Sequence, residues 1–257
     1  MPNAERVRKR RFIGRVYRAL GPLLAALALT GCSSHRPATD TGAVAPGFAL
    51  AASELAHPGP RRETREIRDP DTGDLIGTAV HETTAPEADG SWTAIETDAG
   101  QTPRQSHYRF DADGSVLLEW TRSIKDTDPE GPPRLYVFEP PLRLWPTRLE
   151  PGIAFDDSTR MTERSPKDES RVVLSGTARR HVELAGPSPE DPPGAVRALA
   201  DMRISVGPAE ATHISTLVYD PGRGVRSELV DYSIRVLGLR FKHVRKVTVP
   251  VDREQVH

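Results

Sequence analysis

The sequence predicts an all-β protein, an antiparallel meander forming a curved sheet, half-barrel or barrel. Three observations carry that expectation. From about residue 61 onward, short runs alternate between apolar and polar residues at period two, the pattern of strands with one buried face. Turn signals separate these runs at hairpin spacing. No stretch beyond residue 61 carries a long apolar stripe at the helical period. Eleven or twelve strands so spaced fit a meander.

The elements follow in order. Residues 61–68 and 74–84 flank Asp69-Pro70-Asp71-Thr72-Gly73, a hairpin-type turn. Residues 91–97 form the next strand. Residues 107–110 and 115–124 flank Asp111-Ala112-Asp113-Gly114, a stronger hairpin signal. Within the second of these, Val116, Leu118, Trp120, Arg122 and Ile124 share one expected face. Residues 135–138 come next. Residues 140–152, PPLRLWPTRLEPG, are too rich in proline for a central strand and are expected to be a crossing loop. Residues 153–161 form a further strand. In 171–184 the set Val172, Leu174, Gly176, Ala178, Val182 and Leu184 alternates with polar residues, and Arg180 interrupts it. After a proline-rich turn ending at Gly194, Val196, Ala198, Ala200, Met202, Ile204 and Val206 alternate again. Residues 212–219 and 224–234 are joined through Asp220-Pro221-Gly222-Arg223-Gly224, and 241–251 closes the chain.

The organisation upstream is different. Arg6, Arg8, Lys9, Arg10, Arg11, Arg15 and Arg18 precede an apolar run over 19–29. A positive start, a short apolar run and small residues at its end make a secretory signal. The run is well short of the roughly 20 residues of a spanning helix. It ends in Leu29-Thr30-Gly31-Cys32, which resembles the lipobox of bacterial lipoproteins, with Thr30 where alanine or serine is commoner. That resemblance implies cleavage between Gly31 and Cys32 and diacylglyceryl transfer to the Cys32 sulfur. It further implies a membrane partner held through acylated Cys32. With Ser33 next, it points to the periplasmic face of the outer membrane of a bacterial envelope. Cys32 is the only cysteine, so no internal disulfide forms. Burying about 0.8 kcal/mol per methylene makes one acyl chain marginal and two stable. The expected division is therefore a signal peptide over 1–31, a lipidated N-terminus and flexible tether over 32–60, and one antiparallel β domain over 61–257. Within the tether, 48–56 is expected to form two helical turns or to dock on the domain.

Residues 150–236 also resemble, over a shorter motif, lipoprotein-carrier-like half-barrels of the bacterial envelope. The order is a Leu-Glu-Pro-Gly turn, strands, a Pro-Pro-Gly turn, a strand, then Tyr219, Pro221, Gly222, Gly224 and Val225. The resemblance implies that this last turn links neighbouring strands of a concave sheet, and with it an apolar ligand.

Charge excludes one class of partner. Residues 1–31 hold seven basic residues and one acidic residue of the chain's 35 and 36, so the remainder carries 28 against 35, a net of −7. Phosphate binding needs a basic surface, so no nucleic acid partner is expected. One basic run stands out: Arg235, Arg240, Lys242, His243, Arg245 and Lys246. It reads as a solvated strand face that discourages edge pairing, or as a contact for an anionic partner.

No catalytic constellation is legible. His81-Glu82 lacks the second histidine of a zinc-protease helix. Asp69, Asp71 and Asp74 fail the calcium-loop pattern, with aspartate and valine where glycine and glutamate are needed. Nucleophile elbows and glycine-rich phosphate loops are missing. His107, His181, His213 and His243 are scattered, and the pairs Asp156-Asp157 and Asp168-Glu169 lie near turns or strand ends. The expectation is a membrane-anchored lipoprotein whose non-catalytic domain binds an apolar ligand, an envelope polymer or an envelope protein, without metal or cofactor. Two other classes stay open: a hydrolase whose histidines and carboxylates converge only in the fold, and a structural or assembly lipoprotein.

Overall fold

The computed structural model describes residues 48–56, 58–98, 103–123, 131–221 and 223–251. The expected signal peptide, the lipobox with Gly31 and Cys32, the tether up to residue 47 and Ile124 lie outside the described residues.

A short strand β1 (Leu50–Ala51) and one helical turn and a half, α1 (Ala52–Ala56), come first. The strands β2 (Arg61–Arg68), β3 (Leu75–Thr83), β4 (Ser91–Asp98), β5 (Arg104–Phe110), β6 (Val116–Ser123) and β7 (Arg134–Trp145) follow. Then come β8 (Arg148–Leu149), β9 (Phe155–Ser165), β10 (Asp168–Ala185), β11 (Val196–Val206), β12 (Ala209–Asp220), β13 (Gly224–Val236) and β14 (Leu239–Pro250). Twelve of these strands form one closed antiparallel barrel in which each neighbours the next, and β14 returns to pair with β2. The half-barrel and open-sheet alternatives are thereby replaced by full closure. The expected Tyr-x-Pro-Gly turn does join neighbours, with Tyr219 opposite Val225 and Asp220 opposite Gly224.

The turns form where local chemistry demands them. In the β2–β3 turn the Asp69 carboxylate accepts from the amides of Asp71 and Thr72 at 2.8 and 3.1 Å, and Gly73 takes φ 77°. In the β5–β6 turn the Asp111 amide donates to the Ser115 carbonyl at 2.8 Å and Gly114 takes φ 86°.

The inner face of β10–β13 is the apolar set read from the alternation. Ala178, Val182, Ala198, Ala200, Met202, Ile204, Ala211 and Ile234 are all buried. Opposite them, Phe138, Leu142, Leu144 and Met161 complete the core. The outer face of the same strands carries Arg179, His181, Glu183, Asp201, Arg203 and Asp231. That polarity is the reverse of a barrel that faces lipid.

Three expectations need correction. First, residues 140–152 are not a loop: β7 runs through Pro140 and Pro141 to Trp145. The prolines sit in a wide bulge, where β7 advances from Val137 to Leu142 while β6 moves only from Trp120 to Leu118. Beyond the bulge, side chains stand in for the missing ladder partners. Thr159 Oγ1 donates to the Pro140 carbonyl, the Arg143 amide donates to Asp157 Oδ2 at 2.7 Å, and Arg180 Nε donates to the Leu144 carbonyl at 3.2 Å. Arg180, which broke the apolar alternation of β10, is thus buried by intent, with its guanidinium 4.8 Å from the Trp145 ring centroid. Second, the face expected for Val116 to Ile124 changes sides. A bulge at Glu119 leaves Val116 and Leu118 inside but turns Trp120 and Arg122 outward, and Thr121 and Ser123 face in. Third, Val172 is exposed, because β10 slips register twice before Leu174 and its start projects beyond the barrel.

The segment 48–56 both coils and docks. Leu50 pairs with Leu149 across β1 and β8, the Ala52 amide donates to the Thr147 carbonyl at 3.1 Å, and Tyr219 Oη donates to Glu54 at 3.1 Å. Leu50, Ala52 and Leu55 join the core. The folded unit therefore begins before the expected boundary at residue 61. The helix α1 closes one end of the barrel, at the level of the β5–β6 turn and of the link from β12 to β13. The β2–β3, β9–β10, β11–β12 and β13–β14 turns lie at the other end.

Candidate functional site

Under α1 the barrel holds a cavity of about 70 Å³, room for roughly five waters. Its two walls differ in chemistry. Leu55, Trp92, Tyr108, Leu144 and Trp145 make one of them apolar and aromatic. Trp92 stacks on Tyr108 with centroids 5.5 Å apart. Arg61, Glu63, Arg65, His81 and Glu228 make the other.

The charged wall is built by register. Glu63 of β2 lies opposite His81 of β3, His81 opposite Glu96 of β4, and Glu96 opposite Arg104 of β5. Directly opposed residues in an antiparallel sheet point to the same face, so these four form a row inside the barrel. Arg65 adds ion pairs to Glu63 at 3.1 Å and to Glu228 of β13 at 3.7 Å. Arg61 meets Glu63 at 2.8 Å, and Arg104 meets Glu96 at 2.7 Å.

Burial sets the protonation of this row. Burial, reinforced by Arg65 and opposed by Glu96 and Glu63, lowers the His81 pKa to about 4, so the ring is neutral at pH 7. Burial also holds Glu228 above the ordinary carboxylate range despite Arg65. For Glu96, burial pushes upward, but Arg104 and Lys246 outweigh it and the pKa is lowered. Two cavity-wall atoms are buried without a hydrogen-bond partner among the described residues, His81 Nε2 and Glu228 Oε1, while Glu63 Oε2 is engaged by Arg61 at 2.8 Å. The carboxyl oxygen is an acceptor, and the ring nitrogen accepts in one tautomer. The wall therefore offers unused acceptors next to an apolar surface.

The basic run read from the sequence does not form one patch. Lys242 and Lys246 lie opposite Ile234 and Val230, on the inner face, and Lys242 Nζ stands 5.3 Å from the Tyr232 ring centroid. Arg235 and Arg240 lie opposite each other on the outer face, with His243 and Arg245 on that face too. His243 bonds Asp231 at 3.1 Å and Arg245 bonds Asp71 at 2.9 Å. The histidines do not converge either. His107 meets Glu119 at 3.2 Å, His181 meets Asp156 at 2.9 Å, and His213 is buried near Tyr232. Asp157 caps β7 as described, and Asp168 holds its own turn by accepting from the Ser170 amide at 3.0 Å. Among the described residues, no three His, Cys, Asp or Glu side chains gather to hold a metal ion.

The charged row was not singled out in the sequence, although a signal for it exists. In β4, Glu96 has the same parity as Trp92 and Ala94, which are buried. That parity assigns Glu96, and through it His81 and Glu63, to the inside.

Comparison with protein-family models, with curated proteins and with solved structures finds no match to this chain.

Proposed function

We propose that this chain is an exported lipoprotein, anchored through acylated Cys32, whose barrel binds a small molecule with an apolar body and a hydrogen-bond-donating end. The observation that carries the binding reading is the two-walled cavity under α1, which unpartnered acceptors of His81 and Glu228 line together with Trp92, Tyr108 and Trp145. Ligand sites are commonly apolar concavities with a few converging polar groups. The donating end would satisfy the orphaned acceptors, and the body would cover the aromatic wall. The first described residues, β1 and α1, meet the barrel at the same end as this cavity. The lipobox motif Leu29-Thr30-Gly31-Cys32 supports the anchor.

Trp92 and Trp145 report on the cavity directly. Titration of the full chain with hexanol, hexane and hexanoate, followed by tryptophan fluorescence, is expected to rank hexanol first. Hexanoate should bind about tenfold weaker, since its carboxylate would meet Glu63 without a proton to give. Equal response to all three, or none, refutes the site. The anchor is tested by intact mass and membrane partition of the wild type beside Cys32→Ala in a bacterial host. Cleaved, acylated, membrane-bound wild type with soluble mutant is expected. Equal mass and solubility for both refutes the anchor.

A further inference from the structure

The barrel closes through a narrow seam. The pairing of β14 with β2 spans only Val247 to Pro250 against Arg68 to Arg65, whereas β14 pairs with β13 from Leu239 to Thr248. Residues 239–246 of β14 therefore have no strand on their other side among the described residues. The reason is geometric. The chain turns back from β2 to β3 at the level of Arg245, which reaches Asp71. The β13–β14 hairpin continues on to the level of the β11–β12 turn, where the Leu237 amide donates to the Pro208 carbonyl at 2.9 Å. The result is an open strand edge of about 26 Å at 3.3 Å per residue.

An open edge is normally blunted, because its unpaired amides and carbonyls recruit other strands. This one is basic but also apolar. Leu239 is 68 % exposed, and Phe241 and Val244 are exposed beside it. Leu75 and Ile76 continue the surface from the start of β3 at 56 % and 59 % exposure. The hairpin tip is strained as well. The two-residue loop Leu237-Gly238 takes positive φ at both positions, 52° and 79°, the type I′ geometry that favours Asn-Gly. Leucine there is 68 % exposed, so neither backbone preference nor burial accounts for it.

We propose that the open edge of β14 receives an extended acidic–apolar segment of a partner protein by strand addition. Charge selects that occupant. No acidic residue occurs from Leu237 to Val251, while Arg240, Lys242, His243, Arg245 and Lys246 do. A second copy pairing edge to edge would set this basic set against itself, which costs energy. A bilayer is disfavoured because an open edge cannot enter hydrocarbon without stranding its backbone groups. An added strand instead pairs the backbone, places carboxylates near Arg240 and His243, and covers Phe241 and Val244. This inference is independent of the cavity under α1.

The test uses the full chain and a fluorescent octapeptide alternating glutamate and valine. It is compared with the lysine–valine octapeptide and with vesicles of mixed phosphatidylcholine and phosphatidylglycerol. The glutamate–valine peptide should bind at least about tenfold tighter than its lysine counterpart and weaken as salt rises. Binding should slow amide hydrogen exchange within residues 239–246. The surface variants Arg240→Glu and His243→Glu, checked for unchanged circular dichroism, should cut affinity about tenfold. Equal binding of both peptides, binding without protection of 239–246, vesicle binding in place of peptide binding, or concentration-dependent dimerisation through this edge would each overturn the proposal.

Discussion

Acid should destabilise this barrel through His81 as the pH falls from 6.5 to about 4. The ring faces Glu63, Arg61 and Arg65 from β2 and Glu96 from β4, close to Lys246 of β14 and Glu228 of β13. Burial lowers its pKa from 6.5 to about 4. Below pH 6.5 the unfolded chain binds a proton on this histidine, and the folded chain refuses it until about pH 4. The unfolded state therefore holds more protons throughout that window, so stability falls as pH falls from 6.5 to 4 and is unaffected by this group above 6.5. At about 1.36 kcal/mol per pH unit, the loss amounts to about 3 kcal/mol. That is a large part of the roughly 5–15 kcal/mol that holds a domain folded. Glu96, with its lowered pKa, loses stability only at more acidic pH, and Glu228, with its raised pKa, acts in the opposite direction. Both remain in His81→Gln, so the difference between wild type and variant isolates the histidine. Urea unfolding of the two proteins from about pH 7 to pH 4 should show the wild type losing about 3 kcal/mol relative to His81→Gln. The His81 ring protons should show no titration near pH 6.5 by NMR. Parallel stability curves for the two proteins, or a ring that titrates at its ordinary pKa, would refute the reasoning.

Three further outcomes follow from packing. Leu50 is fully buried although it lies in a two-residue strand outside the barrel wall; Leu50→Ala should cost about 2–5 kcal/mol in urea unfolding, and a loss under about 0.5 kcal/mol would mean β1 does not dock. A methyl group on Gly176 would meet the Ser205 carbonyl and the Val206 side chain. Gly176→Ala should therefore lower stability by about 1–3 kcal/mol, read as a drop in Tm. Leu237→Asn relieves the positive φ of the hairpin tip and should raise stability by about 1 kcal/mol; the same change should weaken capture of the glutamate–valine peptide if the tip serves the open edge.

Strand alternation was legible because it is local. A buried face writes period two into ten residues, and Val196 to Val206 states it without help from any other segment. The turns were legible for the same reason, since the Asp69 and Asp111 carboxylates accept from the nearby amides of Asp71 and Ala112. The bulges at Glu119 and at Pro140-Pro141 were not. A bulge is a mismatch between two strands, and neither strand contains it alone. The charged row escaped because β2 reads RRETREIR, with ionised side chains on both faces. Period two then carries no contrast between inside and outside. Parity with Trp92 in β4 was the one usable signal.

By itself the sequence determined the class, the meander order of eleven or twelve strands and most of the apolar wall, because each is written in single strands and the hairpins that join them. It also carries the only basis for an address, in Leu29-Thr30-Gly31-Cys32. Tertiary structure decided closure, which rests on four residues of β14 meeting four of β2 from the opposite end of the barrel sequence. Closure in turn decided the rest. It brought Glu228 against Arg65, enclosed His81, and divided the basic run of β14 between an inner and an outer face. It also left residues 239–246 with no strand on their second side among the described residues. None of these is a property of any short stretch of chain. Each follows from where the ring of strands shuts, and that depends on lengths and registers summed over the whole meander.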